Sequence, residues 1–295
     1  MPHIDTETAS QPECWQRAAA LADSRPAGLP RPGERVAVTG CGTSLFMAQA
    51  YAALREGAGL GETDAFPASE FPLGRRYDRV VALTRSGTTT EVLALLARLS
   101  GAAPTLAVTA DPHTPVATAA DHLVVLDFAD ERSVVQTRFA TTALTFLRAG
   151  LGLHTARVEA DARRALAEVI DPGLLECGQF TFLGQGWSVG LAHEAALKMR
   201  EAARAWTESY PAMEYRHGPI SIAAPDTVTW SLGPAPEGLA DDVAATGARW
   251  IGGGTLDPLA ELVRVQRLAA ALATSRGLDP DEPRNLTRSV VLADD

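Results

Sequence analysis

The sequence predicts an α/β protein of two similar lobes, each a parallel sheet flanked by helices. Three observations carry that expectation. Short apolar runs of strand length alternate with segments of helical period over residues 35–151, as strands joined by crossover helices do. Two of these runs end in hydroxyl-rich turns immediately before a helix. The pattern then restarts at Phe180, once the first half has closed.

In chain order, residues 1–30 read as a helical arm and a Pro-rich linker, Arg25-Pro26 through Arg31-Pro32. Arg35–Gly40 is a short apolar run ending in Gly, a buried strand, and Ser44–Arg55 has helical periodicity. Arg79–Thr84 is a second strand, followed by a helix over about Thr89–Leu99. Thr105–Thr109 and Leu123–Asp127 are further strands, and a helix over roughly Thr137–Leu151 closes the half. In the second half Phe180–Gly184 is a strand and Val189–Thr207 a helix. Thr227–Ser231 and Arg249–Ile251 are strands, and Leu259–Leu272 is the last long helix. The tail holds Pro280, Pro283 and the short apolar run Val290–Leu292, and is expected to drape over the body. The expected division is an arm and linker (1–30), a first lobe (31–155), a second lobe (156–274) and a tail over the active site (275–295).

Composition narrows the function classes. The 295 residues suffice for one large or two ordinary α/β domains, and 46% hydrophobic with 21% charged residues is the mix of a core-forming chain. A formal net charge of −10 argues against nucleic acid as partner, which needs a basic field. It does not argue against a small phosphate ester, which a nest of amides and hydroxyls can hold. Cys14, Cys41 and Cys177 are too few and unpatterned for a disulfide framework or a zinc site. The six histidines show no metal-ligand spacing, so no metal and no redox or nucleotide cofactor is expected. The N-terminus has no signal-peptide character and no apolar stretch approaches the roughly 18–20 residues of a membrane span, so a cytoplasmic protein without a membrane partner is expected.

Four segments can carry chemistry. Thr39-Gly-Cys-Gly-Thr-Ser44 lies between a strand and a helix; Gly42 lets the backbone approach a ligand, and Thr43 and Ser44 can donate to an anion at the helix start. By itself it also fits a turn capped by Ser44. Thr84-Arg-Ser-Gly-Thr-Thr-Thr-Glu91 repeats the placement with five hydroxyls, where an ordinary cap needs one. Arg85 could fork onto a phosphate. Two such turns at the carboxyl ends of parallel strands favour a phosphate-ester site.

The third segment, Glu194-Ala-Ala-Leu-Lys-Met-Arg-Glu201, puts Glu194, Lys198 and Glu201 on one helix face. The spacing fits a solvated ion-pair face, and His193 and Glu194 read more readily as helix-surface residues than as metal ligands. Taken alone, most such triplets are solvated helix faces; the functional reading needs a carboxylate base, Glu201, beside a cation, Lys198, that places substrate or stabilises developing negative charge. The fourth segment ends in His217-Gly218-Pro219, a rigid turn where a histidine can exchange protons near neutral pH; taken alone it is a surface residue.

These four segments, in this order, resemble the isomerase half of glucosamine-6-phosphate synthase and its sugar-isomerase (SIS) relatives, the amino-sugar-phosphate deaminase/isomerases among them. Cys41–Ser44 is similar to the first phosphate loop, and Ser86-Gly87 within Thr84–Thr89 to the second. Glu194-x-x-x-Lys198-x-x-Glu201, with His217-Gly218-Pro219 sixteen residues on, is similar to the catalytic stretch. The tail run Pro283–Val290 resembles the synthase C-terminus. The resemblance implies two SIS lobes and a homodimer, with Glu201 moving a proton between C1 and C2 and His217, contributed across the dimer interface, assisting ring opening. It implies phosphate contacts from Ser44, Thr84, Arg85, Ser86 and Thr89.

Three departures stand out. No glutaminase half accompanies the lobes, so ammonia from glutamine is not expected. Arg288 stands at the tail position of the synthase's Schiff-base lysine, and arginine is not a nucleophile. Gln136-Thr137-Arg138 replaces the family's Ser-Thr-Lys before the long helix. The expected activity is proton abstraction at C2 of a ring-opened 2-amino or 2-acetamido hexose 6-phosphate, ending in isomerisation with deamination. The alternatives are elimination of the C3 hydroxyl of N-acetylglucosamine 6-phosphate, and a non-catalytic sugar-phosphate sensor.

Overall fold

The computed structural model describes residues 2–292. Among them the elements run α1 (His3–Ala9), α2 (Gln11–Asp23), β1 (Val36–Gly40), α3 (Thr43–Gly57), β2 (Thr63–Pro67), β3 (Arg79–Leu83), α4 (Thr90–Leu99), β4 (Thr105–Thr109), α5 (Val116–Ala119), β5 (His122–Val125) and α6 (Arg138–Gly150). They continue as α7 (Arg157–Ala167), β6 (Gln179–Gly184), α8 (Ser188–Ala203), β7 (Trp206–Pro211), β8 (Thr227–Leu232), α9 (Leu239–Ala245), β9 (Arg249–Gly252) and α10 (Pro258–Ser275). The two-lobed α/β class read from the sequence is the observed one. Two compact units form. One gathers Glu13–Glu131, Arg138–Thr155 and the chain from Thr287; the other gathers the chain up to Pro12, Arg132–Thr137 and Ala156–Leu286.

The first unit holds a sheet ordered β2-β1-β3-β4-β5, parallel throughout, with Val38 paired to both Ala65 and Val81. Its inner strands β1, β3 and β4 are buried along their whole length. That is why they read as continuous Val/Ala/Leu runs rather than alternating ones. Val92, Leu95, Leu96 and Leu99 form one stripe of α4 and pack on Ala37, Val80, Ala82 and Ala107 of the sheet. Truncating Leu96, 1% exposed, to Ala would cost about 2–5 kcal/mol. Trp15 of α2 is fully buried here, and its Nε1 donates to Thr141 Oγ1 at 3.0 Å.

The second unit holds a parallel sheet ordered β7-β6-β8-β9. Phe180, Phe182 and Trp230 fill its core beside Leu191 and Met199 of α8 and Leu262 and Val265 of α10. The first helix joins this unit: the His3 and Ile4 amides donate to the Asp281 carboxylate at 2.6 and 2.8 Å.

In each sheet the second strand lies outside the first, and the chain then reverses direction across the sheet. The reversal falls between β1 and β3 in one unit and between β6 and β8 in the other. Open α/β sheets bind ligands at the carboxyl end of such a switch point.

Two strands differ from the sequence reading, which placed no element at β2 and ran α8 on to Thr207. Both β2 and β7 are edge strands of mostly intermediate burial, and each closes on a proline. The long apolar run that marks an inner strand is therefore missing. The helix stops at Ala203 because Arg204 turns left-handed (φ 51°) and its amide and that of Ala205 return to Arg200 O and Met199 O. The short α9 and the amphipathic α7 were also not read; in α7 Val158, Ala162 and Ala165 are the buried stripe.

Candidate active site

At the switch point of the five-stranded unit, two loops leave neighbouring strands. The loop after β1 carries Gly42, Thr43 and Ser44 and opens α3. Gly40 ends the strand so close to the helix that an added Cβ would lie 2.7 Å from Ser44 Cβ. The loop after β3 carries Thr84, Arg85, Ser86, Gly87, Thr88 and Thr89 and opens α4. Gly87 has φ 64°, and a Cβ there would sit 2.0 Å from Thr114 Oγ1, so only glycine fits. The eight loop residues selected from the sequence thus fall on two adjacent turns.

The hydroxyls of the second turn converge. Thr88 Oγ1 donates to Ser86 Oγ at 3.1 Å, and the Thr88 amide donates to the same oxygen at 3.3 Å. Thr84 is 4% exposed, and its hydroxyl has no hydrogen-bond partner among the described residues. A buried unpaired hydroxyl costs stability, so its retention fits a ligand donor.

Arg85 is placed otherwise. Its side chain is 1% exposed and lies 3.6 Å from the carboxylate of Glu131, itself fully buried. Arg85 also donates to Arg288 O at 3.1 Å. Arg288 in turn bonds Glu131 O and pairs with Asp130 at 2.5 Å. Glu131 accepts from the Arg138 amide at the start of α6 at 2.8 Å. Glu131 and Ser289, whose hydroxyl reaches the second turn, were missed by sequence reading. A lone loop carboxylate carries no periodic signal, and nothing in the tail run Pro283–Val290 sets Ser289 apart from its neighbours.

Cys41, in the first turn, is not poised as a nucleophile. Burial, and then the nearby Glu91 carboxylate, push its thiol above the ordinary range.

In the four-stranded unit the acidic and basic residues of α8 are not a solvated face. Glu194 and Lys198 are each 1% exposed, because the face that bears them turns inward. Lys198 Nζ lies 3.4 Å from Glu194 Oε1 and donates to Glu201 Oε2, one turn further on. Glu201 keeps 18% side-chain exposure, enough to meet a ligand. A lysine this buried needs its carboxylates. His193 is half-buried, with Nδ1 2.9 Å from Ser209 Oγ on β7. His217 ends a short 3-10 turn over Ala212–His217 and is exposed. The Arg216 beside it is tied to Asp242 at 2.7 Å. Gln136 belongs to the same unit; its Oε1 is buried and has no partner among the described residues.

Among the described residues no group of three His, Cys, Asp or Glu is arranged to hold a metal, and no helix is long and apolar enough to cross a membrane.

No protein-family model matches the chain. It is 28% identical over 307 aligned residues to the glutamine–fructose-6-phosphate aminotransferase (isomerizing) of Methanothermobacter thermautotrophicus, an alignment covering 88% of this chain and 52% of that protein. The chain thus spans about half the length of the curated relatives it matches. Its fold superposes on glucosamine-6-phosphate deaminase from Thermotoga maritima with a TM-score of 0.80 at 23% identity, over 98% of both chains. It superposes on the C-terminal domain of the Francisella tularensis glucosamine-fructose-6-phosphate aminotransferase with a TM-score of 0.79 at 20% identity, over 96% of this chain and 98% of that one. The chain is therefore a sequence relative of the glutamine–fructose-6-phosphate aminotransferases over about half their length, built on the sugar-isomerase fold.

Proposed function

We propose that the chain is an enzyme that removes the C2 proton of a ring-opened amino-hexose 6-phosphate and acts as an aldose–ketose isomerase/deaminase. The observation that carries this reading is the buried Lys198 held against Glu194 and Glu201 on α8. Burying an ammonium with two carboxylates is costly, and a solvated helix face has no need of it. The hydroxyl-rich turns after β1 and β3 support a phosphate ester as ligand, and the names of the relatives point to the same substrate class.

In this reading Ser44, Thr84, Ser86 and Thr89 donate to the phosphate, while buried Arg85 shapes the second turn. The aldehyde at C1 acidifies the C2 proton, and the Glu201 carboxylate takes it. Lys198 fixes that carboxylate and sets positive charge where the enolate develops. Return of the proton to C1 leaves an imine at C2, and water then releases ammonia and a ketose phosphate. His217, supplied across a homodimer, assists ring opening. Arg288, bound to Asp130 and Glu131, is a positioning residue and offers no amine for a Schiff base.

The test is incubation with glucosamine 6-phosphate and, separately, N-acetylglucosamine 6-phosphate, followed by NMR and an ammonia assay. Ammonia with a ketose phosphate supports the proposal. Loss of water from the acetylated sugar would replace it with C3 elimination. Binding without turnover would make the chain a sensor.

A further inference from the structure

The tail does more than lie near the second turn. Ser289 Oγ sits 3.1 Å from Ser86 Oγ, 3.0 Å from Thr88 Oγ1 and 3.4 Å from Thr89 Oγ1. The Thr90 amide, at the start of α4, donates to Val290 O at 3.2 Å, and the Leu292 amide donates to Thr90 Oγ1 at 2.9 Å. One hydroxyl and one carbonyl of the tail thus take the donors that the turn and the helix start would offer to a phosphate. Each hydroxyl has one proton to give, so Ser289 and a phosphate oxygen compete for it.

The strap is held unevenly. Arg288 is anchored through Asp130, Glu131 O and Arg85. Beyond it Val290, Val291 and Leu292 are 51%, 66% and 59% exposed. With so little apolar surface buried, residues 289–292 stay in place mainly by these exchangeable hydrogen bonds.

We propose that Ser289 and Val290 are internal occupants of the phosphate site, and that a phosphate monoester binds by lifting residues 289–292 off the Thr84–Glu91 turn while Arg288 stays anchored. This rests on the reading of that turn as the phosphate loop. The tail then sets the affinity of the site, because only the fraction of molecules with the strap released can accept ligand.

The experiment measures binding of inorganic phosphate by calorimetry to the full chain, to Ser289→Ala and to a chain ending at Arg288. Amide exchange at Leu292 is followed with and without phosphate in the full chain. The proposal expects both variants to bind about tenfold more tightly, and the Leu292 amide to lose protection when phosphate binds. Weaker binding by Ser289→Ala would make the serine a phosphate ligand and overturn the proposal. Unchanged affinity with greater Leu292 protection would make the tail a closing lid and also overturn it. Absence of phosphate binding in all three proteins would remove the phosphate loop itself, a result distinct from binding with the wrong sign.

Discussion

The Arg85 guanidinium lies 3.6 Å from the Glu131 carboxylate, with side-chain exposures of 1% and 0%. A pair so buried is expensive to break from one side, because the remaining charge stays desolvated. Glu131→Gln is therefore expected to lower the stability of the chain by about 3 kcal/mol. Arg85→Met with Glu131→Gln should recover much of the loss. Urea midpoints of Glu131→Gln, Arg85→Met and the double variant check this; a double variant as unstable as the sum of the singles would show that the two residues are not coupled.

Thr84 separates ligand binding from folding. Its hydroxyl is buried and has no partner among the described residues, so Thr84→Val removes a desolvated donor at little cost in shape. The variant should be as stable as the parent or gain up to about 1 kcal/mol. Its affinity for inorganic phosphate should fall about tenfold, the loss of one good hydrogen bond. Phosphate titration beside thermal melting reads both; equal affinity would take Thr84 out of the phosphate contacts.

His193 gives the fold a pH dependence of known sign. Burial first, and the charge of Arg200 second, hold its imidazole below the ordinary value of 6.5. The unfolded chain therefore binds the proton that the folded chain refuses. Stability is full above about pH 7, falls as the pH drops through about 6.5, and levels off only below the folded-state value. His193→Gln should flatten that part of the profile. Urea midpoints between pH 7.5 and 5 compare the two proteins, and parallel profiles would leave His193 without a share in the slope.

What the sequence makes legible follows burial. β1, β3 and β4 are enclosed on both faces and appear as unbroken apolar runs, so fold class and switch point can be read directly. The edge strands β2 and β7 escape because Asp64 in one and Thr207, Glu208 and Ser209 in the other interrupt any apolar run, and each closes on a proline. The turns after β1 and β3 are visible through their density of hydroxyls. Local spacing alone cannot decide whether Glu194, Lys198 and Glu201 face water; the packing of α8 decides it, and buries the first two. Glu131 and Ser289 act through partners 46 and 203 residues away in sequence, Arg85 and Ser86, which no local pattern announces.

The central claim is that Glu201 moves the C2 proton, and hydrogen–deuterium exchange at C2 of glucosamine 6-phosphate in D2O tests it most directly. The wild-type chain is expected to exchange deuterium into the substrate or the ketose product. Glu201→Gln should still bind the sugar phosphate but lose exchange by about 10²–10⁴-fold, the usual share of a general base. Exchange at the wild-type rate in Glu201→Gln would contradict the account and assign the proton to another group.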